Sequence, residues 1–316
     1  MPGVPLVTGA TGFAGSHLVE HLLGVHPVVA GWSRPGGRPA TSRDGRVHWR
    51  GVDLLDADDV AAALAELRPS AIYHCAGIAH VGQAWLEPER ALRVNALGTH
   101  HLLEGMRAAR LGCPILVTGS AEVYRPSLSP LREEDSTGPS TPYGVSKLAQ
   151  ELLAMRSEEP RVFVVRAFNH AGPRQSTAYV TSSFARQIAE VEAGRAEPVL
   201  LVGNLDAQRD ITDVRDTVRA YPLVVARGTP GRPYNVCSGR AWRIRDLLNV
   251  LIAMSHRAIT CEIDPSRLRP SDNPLILGDP SRILAQTGWT PEIPVARTLA
   301  DLLDYWRRET GGTPPS

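Results

Sequence analysis

No apolar run in this sequence approaches the ~20 residues that a helix needs to cross a bilayer, which argues against a helical membrane protein. Nor is there room for a signal peptide ahead of the strand-and-loop segment Val4–Gly12, so a cytoplasmic protein is expected. Cysteine is scarce and scattered. Cys75, Cys113, Cys237 and Cys261 form no CxxC pair and no Cys/His cluster, and no metal site is expected. Cys75 and Cys237 lie in apolar runs and read as buried free thiols in a reducing compartment. Charge of one sign is also missing. A formal net charge of +1 gives no reason to expect a nucleic acid or an anionic membrane as partner. What is present is an ordinary globular composition, 43% hydrophobic and 21% charged, on 316 residues. That length can bury a full core without disulfides or metals.

Continuous apolar runs at Val4–Thr8, Pro27–Trp32, Val47–Val52, Ala71–Cys75, Ile115–Thr118 and Val162–Arg166 predict strands covered on both faces. Helical periodicity separates them at Phe13–Leu23, Ala57–Leu67, Pro88–Ala109 and Pro142–Met155. Strands alternating with helices imply right-handed crossovers and hence a doubly wound α/β domain with a parallel sheet, placed at 1–168. Beyond Phe168 Gly and Pro become frequent, with helical patterns at Val180–Ala193, Val214–Ala226, Ile244–Met254 and Val295–Arg308. A smaller C-terminal α/β part, 169–316, is expected, with segments near 205–240 returning to the first domain. A ligand crevice should lie between the two, at the carboxyl ends of the strands.

Directly after the first strand stands Thr8-Gly9-Ala10-Thr11-Gly12-Phe13-Ala14-Gly15, a G-x-x-G-x-x-G turn opening a helix. Placed there, Gly9 permits a tight turn, Gly12 a close backbone approach to a pyrophosphate, and Gly15 close helix–strand packing. Free amides and the helix dipole then hold the anion, so a dinucleotide is the expected ligand. At the end of the second strand an acid favours NAD and a base favours the 2′-phosphate of NADP. Ser33-Arg34 stands there, so NADP(H) is expected, with NAD(H) as second choice. Asp53-Leu54 follows the third strand, at the adenine edge or in a plain loop turn.

Tyr143-Gly-Val-Ser-Lys147 opens a helix with Pro142 at its first position and Thr141 or Ser140 as its cap. Residues four apart share a helical face, so the Lys147 ammonium is expected near the Tyr143 phenol. A nearby cation favours the phenolate and makes Tyr143 a general acid/base. Ser120, just past the fifth strand, is placed to hydrogen-bond the same substrate oxygen.

The Gly turn, Ser120, Tyr143 and Lys147 together resemble the extended short-chain dehydrogenases/reductases of the NAD-dependent epimerase/dehydratase family, over essentially the whole chain. His74-Cys-Ala-Gly77, Val94-Asn95-x-x-Gly98-Thr99 and Arg209-Asp210-Ile-Thr-Asp213 match further segments. Arg166–Ser176, Tyr234–Leu248 and Asp264–Pro294 resemble the GDP-6-deoxy-4-keto-D-mannose reductases, with GDP-mannose 4,6-dehydratases as close relatives. The resemblance implies a Rossmann sheet. It also implies cofactor contacts along the turn at Gly9, Thr11, Gly12, Phe13 and Ala14, at Ser33, Arg34, Asp53 and Leu54, at Ala76 and Gly77, and at Tyr143 and Lys147. It further implies a nucleotide-diphosphate sugar, GDP-linked, held by Asn169, Arg209 and Arg269, and a homodimer built on helices 88–109 and 142–155.

Within Ser120-Ala121-Glu122, the dehydratases place acid/base groups. Ala121 carries none, and Glu122 could serve alone as base or be a structural acid. The segment leans towards an NADPH-dependent 4-ketoreductase making GDP-6-deoxymannose (GDP-rhamnose). A 4,6-dehydratase, a 4-epimerase and a non-catalytic NADP(H)-binding redox sensor stand as alternatives. His80, His101 and His170 are read as structural.

Overall fold

The computed structural model describes residues 3–37, 44–157, 161–268 and 273–311. In chain order its strands are β1 (Pro5–Thr8), β2 (Val29–Ser33), β3 (Val47–Gly51), β4 (Ala71–His74), β5 (Ile115–Ser120), β6 (Val162–Ala167), β7 (Asn169–Ala171), β8 (Val199–Val202), β9 (Gln208–Asp213), β10 (Pro233–Val236), β11 (Ala241–Arg243), β12 (Thr260–Ile263) and β13 (Leu275–Ile276). Seven of them form one parallel sheet in the order β10-β6-β5-β4-β1-β2-β3. From β1 the chain builds outward to β2 and β3, then crosses back to build β4, β5 and β6 on the other side. The reversal between β1 and β4 opens a crevice at the strands' carboxyl ends, where doubly wound sheets bind ligands.

The apolar runs of β1, β4, β5 and β6 are continuous because each of these strands feeds two cores. Leu6, Ile72, Ile115 and Val164 pack on one face with Val60 and Leu64 of helix Ala57–Leu67 and with Leu102 and Met106 of helix Gly98–Ala108. Their neighbours Val7, Tyr73, Leu116 and Val165 pack on the other face with Leu18 and Leu22 of helix Phe13–Leu23 and with Val218 and Tyr221 of helix Val214–Arg227. Burying both faces in this way is what excludes polar alternation along the strands.

Helices Phe13–Leu23, Ala57–Leu67 and Pro142–Met155 have the bounds their periodicity predicts. The helix expected over 88–109 is interrupted. A π turn, Arg93–Leu97, separates Pro88–Leu92 from Gly98–Ala108. Within that turn the buried Asn95 side chain receives the Ile78 amide at 2.8 Å and donates to the Ile78 carbonyl at 3.1 Å. π turns of this kind recur at functional sites. The sequence pattern also passes over β10, which joins the large sheet beside β6, and the short helices Val81–Leu86 and Ser281–Thr287.

In the second half β9 is the hub of a small mixed sheet, antiparallel to β11 and parallel to β7 and β13. A separate core forms where helices Val180–Glu192, Ile244–Ala253 and Val295–Glu309 bury Phe184, Leu247 and Leu302. Among the described residues no helix is long and apolar enough to cross a membrane.

Candidate active site

The turn after β1 requires its glycines. Gly9 adopts φ +65°, and a Cβ there would lie 2.6 Å from the Ala76 Cα. A Cβ on Gly15 would lie 2.2 Å from the Gly9 carbonyl oxygen, so the helix can seat on the turn only with glycine at that position. Gly12 caps helix Phe13–Leu23 and has no side chain to occupy its first-turn amides, which leaves a cradle suited to a pyrophosphate. Thr11 and Ala14 are half-buried in the same turn. Phe13 stacks on the His170 ring (centroids 5.7 Å apart, planes at 8°), tying β7 to the turn.

At the end of β2 the Ser33 hydroxyl donates to the Arg34 carbonyl. The exposed Arg34 makes no ion pair among the described residues, a donor set that fits a 2′-phosphate. Asp53 shapes the loop turn, its carboxylate accepting the Leu55 amide at 3.0 Å. Leu54 packs beneath Gly98, and its carbonyl accepts from His101 Nδ1 at 2.9 Å.

Helix Pro142–Met155 begins with Pro142, and the Thr141 hydroxyl caps it by accepting the Gly144 amide at 3.0 Å. Gly144 lets the helix press on the turn after β5, since a Cβ there would lie 2.3 Å from the Glu122 carbonyl oxygen. That approach brings the Tyr143 phenol beside Ser120. Ser120 Oγ accepts the Glu122 amide at 3.1 Å. Burial pushes the phenol above its ordinary pKa, with the nearby Ser120 hydroxyl opposing the rise and Glu122 adding to it.

This corrects the expectation of a phenol depressed by Lys147. The buried Lys147 ammonium instead donates to the Thr118 carbonyl and to Gln150 Oε1, both at 2.8 Å. Burial pulls its pKa down to about 8. The loop after β4 lies over it. The Ala76 amide donates to Thr8 Oγ1, and a Cβ on Gly77 would lie 3.5 Å from Lys147 Nζ. Ala121 is buried, and the half-buried Glu122 carboxylate accepts from the Thr141 hydroxyl at 3.5 Å.

In the second half of the chain, β9 brings two of the three expected substrate residues, Asn169 and Arg209, into one sheet. Asn169 is exposed on β7, which pairs with the far half of β9. Arg209, half-buried on β9 itself, donates to the carbonyls of Gln208 and Asn273 at 2.8 and 2.7 Å. Asp210 is a structural acid, accepting the Ser238 amide and hydroxyl and the Gly239 amide. Arg269 lies outside the described residues.

Sequence reasoning missed Tyr179. Its hydroxyl donates to the Ala79 carbonyl at 3.0 Å and its ring meets His80 edge-on. No motif marks it. Also missed was a buried polar set formed by Thr8, His74, Thr99 and Gln150, although His74 and Thr99 stand in segments that match the family.

A Gly turn at the switch point of a parallel sheet, with Ser, Tyr and Lys at its carboxyl edge, defines an extended short-chain dehydrogenase/reductase, an NAD(P)-dependent enzyme class. The chain belongs to the GDP-mannose 4,6 dehydratase family, whose model matches residues 6–302. It is 36% identical to the GDP-6-deoxy-D-mannose reductase of Pseudomonas aeruginosa over 306 residues, covering 95% of this chain and 96% of that one. Identity to the GDP-mannose 4,6-dehydratase of Vibrio cholerae is 27%, covering 94% and 92%. The solved structure of RMD from Pseudomonas aeruginosa complexed with NADPH matches with a TM-score of 0.85 at 34% identity, covering 97% of this chain and 99% of that one.

Proposed function

We propose that this protein reduces the 4-keto group of a GDP-4-keto-6-deoxyhexose with NADPH, giving GDP-6-deoxymannose. One observation carries the reading. The Tyr143 phenol is buried and held protonated beside the buried Ser120 hydroxyl, which is the state of a proton donor awaiting a forming alkoxide. The 36% identity to a GDP-6-deoxy-D-mannose reductase supports the choice of substrate. When bound, the cofactor supplies the hydride. Tyr143 gives the alkoxide its proton, Ser120 donates a hydrogen bond to the same oxygen, and the Lys147 ammonium would hold the nicotinamide ribose of the cofactor. The Gly9–Ala14 turn orients the pyrophosphate and Arg34 selects the 2′-phosphate. Asn169, Arg209 and Arg269 hold the nucleotide sugar from the 169–316 part, with the 1–168 part carrying the cofactor.

A dehydratase is the second reading. It is favoured by the Glu122 carboxylate, which lies close enough to influence the Tyr143 phenol and would be the base for elimination. Exposed Trp85, Leu86, Val145, Leu152 and Leu153 on helices Val81–Leu86 and Pro142–Met155 support a homodimer built on that face.

The test is to incubate the protein with NADPH and either GDP-4-keto-6-deoxymannose or GDP-mannose, following cofactor absorbance and identifying the products. Cofactor consumption with the keto sugar and unchanged GDP-mannose are expected. Conversion of GDP-mannose without net cofactor consumption would overturn the reductase and assign Glu122 to elimination.

A further inference from the structure

Lys147 is the single lysine in a chain with 34 basic residues. Arginine serves everywhere else, so this position calls for what arginine lacks, a compact ammonium with three rotatable donors. Two of those donors are fixed, one by the Thr118 carbonyl of β5 and one by Gln150 Oε1, a turn further along the same helix.

We infer that Gln150 is a positioning residue, which aims the Lys147 ammonium and, through Thr99, His74 and Thr8, ties it to the turn that begins at Gly9. This rests on the reading of Lys147 as part of the reaction centre. The hydrogen-bond directions leave Gln150 one orientation. The Thr99 hydroxyl lies 2.6 Å from the Asn95 carbonyl, which can only accept, so its one proton goes there. Thr99 Oγ1 must then accept from both Gln150 Nε2 and His74 Nε2, each at 2.9 Å. His74 therefore carries its proton on Nε2, and Nδ1 accepts from the Thr8 hydroxyl at 2.7 Å. Thr8 Oγ1 in turn accepts the Ala76 amide. Turning the Gln150 amide over would set its NH2 against the ammonium and its oxygen against an oxygen with no proton left to give. The four side chains are buried and mutually satisfied, and such networks hold a single geometry.

The groups facing Lys147 do not titrate with it. From the end of β4, burial brings the His74 imidazole down to about 3 and pushes the Cys75 thiol up to about 12. From its own helix, the Tyr143 phenol is raised. The thiol, the imidazole and the phenol are thus uncharged across the range in which Lys147 titrates, and a lost Gln150 contact should register on Lys147 alone.

Because Lys147 is the only lysine, full-length protein labelled with 13Cε-lysine gives one NMR signal whose shift reports its charge, without any sugar substrate. The midpoint would be measured with and without NADPH, alongside the pH profile of kcat for the keto sugar. Gln150→Leu removes the acceptor and should lower the midpoint by about one pH unit. It should also cut kcat by about tenfold, with KM for the sugar little changed. Gln150→Glu restores an acceptor with charge, so it should raise the midpoint above wild type and recover most of kcat. Thr99→Val, one step removed, should shift the midpoint in the same direction as Gln150→Leu but by less. An unmoved midpoint in a Gln150→Leu protein with native near-ultraviolet circular dichroism overturns the inference. Should that variant not fold, an unmoved midpoint in Gln150→Glu does so instead. A wild type that turns over no keto sugar refutes the reductase, while the NMR midpoints still decide the role of Gln150.

Discussion

Replacing Tyr143 by Phe removes one oxygen from the centre of the site and little else. The ring occupies the same buried volume, so no cavity opens. Ser120 keeps the Glu122 amide. At most one hydroxyl's polar interaction is therefore at stake in the folded state, about 1 kcal/mol, or roughly 2 °C in Tm for a chain of this size. The Gly turn, Arg34 and the loop after β4 are untouched, so NADPH affinity should stay close to wild type. The catalytic loss should be far larger. A positioned general acid contributes about 10²–10⁴-fold, so losing the Tyr143 phenol should lower kcat by ~10³-fold. NADPH oxidation with the keto sugar measures kcat, and cofactor fluorescence measures binding. A folded variant retaining kcat within about tenfold of wild type would show that the proton comes from elsewhere. The same experiment separates an enzyme from a redox sensor, which needs the cofactor but not the phenol.

Two other substitutions probe the cofactor side. Gly15→Ala drives a Cβ to 2.2 Å from a backbone oxygen that cannot step aside. Overpacking there should destabilise the fold by about 2 kcal/mol despite the gain in helix propensity, and weaken NADPH binding by more than about tenfold. Gly12→Ala, whose Cβ meets only the Gly9 carbonyl at 3.1 Å, should melt near wild type, and calorimetry beside a binding titration compares the pair. Arg34→Ala should raise KM for NADPH by about tenfold and leave that for NADH unchanged, since only the 2′-phosphate distinguishes the two. An equal effect on both cofactors would place the 2′-phosphate elsewhere.

Short-range chemistry made much of this protein legible in its sequence. Two of the three turn glycines, Gly12 and Gly15, answer to neighbours within the turn itself. The helix from Pro142 to Met155 announces its own first position and cap, and it carries Tyr143 and Lys147 at a spacing that guarantees one face. Continuous apolar strands reveal a sheet covered on both sides, because a polar side chain is buried there only where it finds hydrogen-bond partners, as Thr8 and His74 do. What decides these features is local backbone geometry and periodic burial, and both are written in consecutive residues.

Contacts distant along the chain were settled only by the tertiary fold. The sequence predicts a return of segments near 205–240 to the first domain, but not that Pro233–Val236 becomes the edge strand beside β6, and nothing near Asn169 or Arg209 shows that β9 unites them. The π turn at Arg93–Leu97 is invisible in the helical pattern, because it serves Asn95, whose partner Ile78 lies 17 positions away. The environment of Lys147 follows the same rule. Spacing placed it beside Tyr143, but its charge is governed by burial and by Thr118, and Gln150 is held in turn through Thr99 by His74 and Thr8. A pKa and a hydrogen-bond direction depend on every group within a few ångströms, and those groups become neighbours only when the sheet closes.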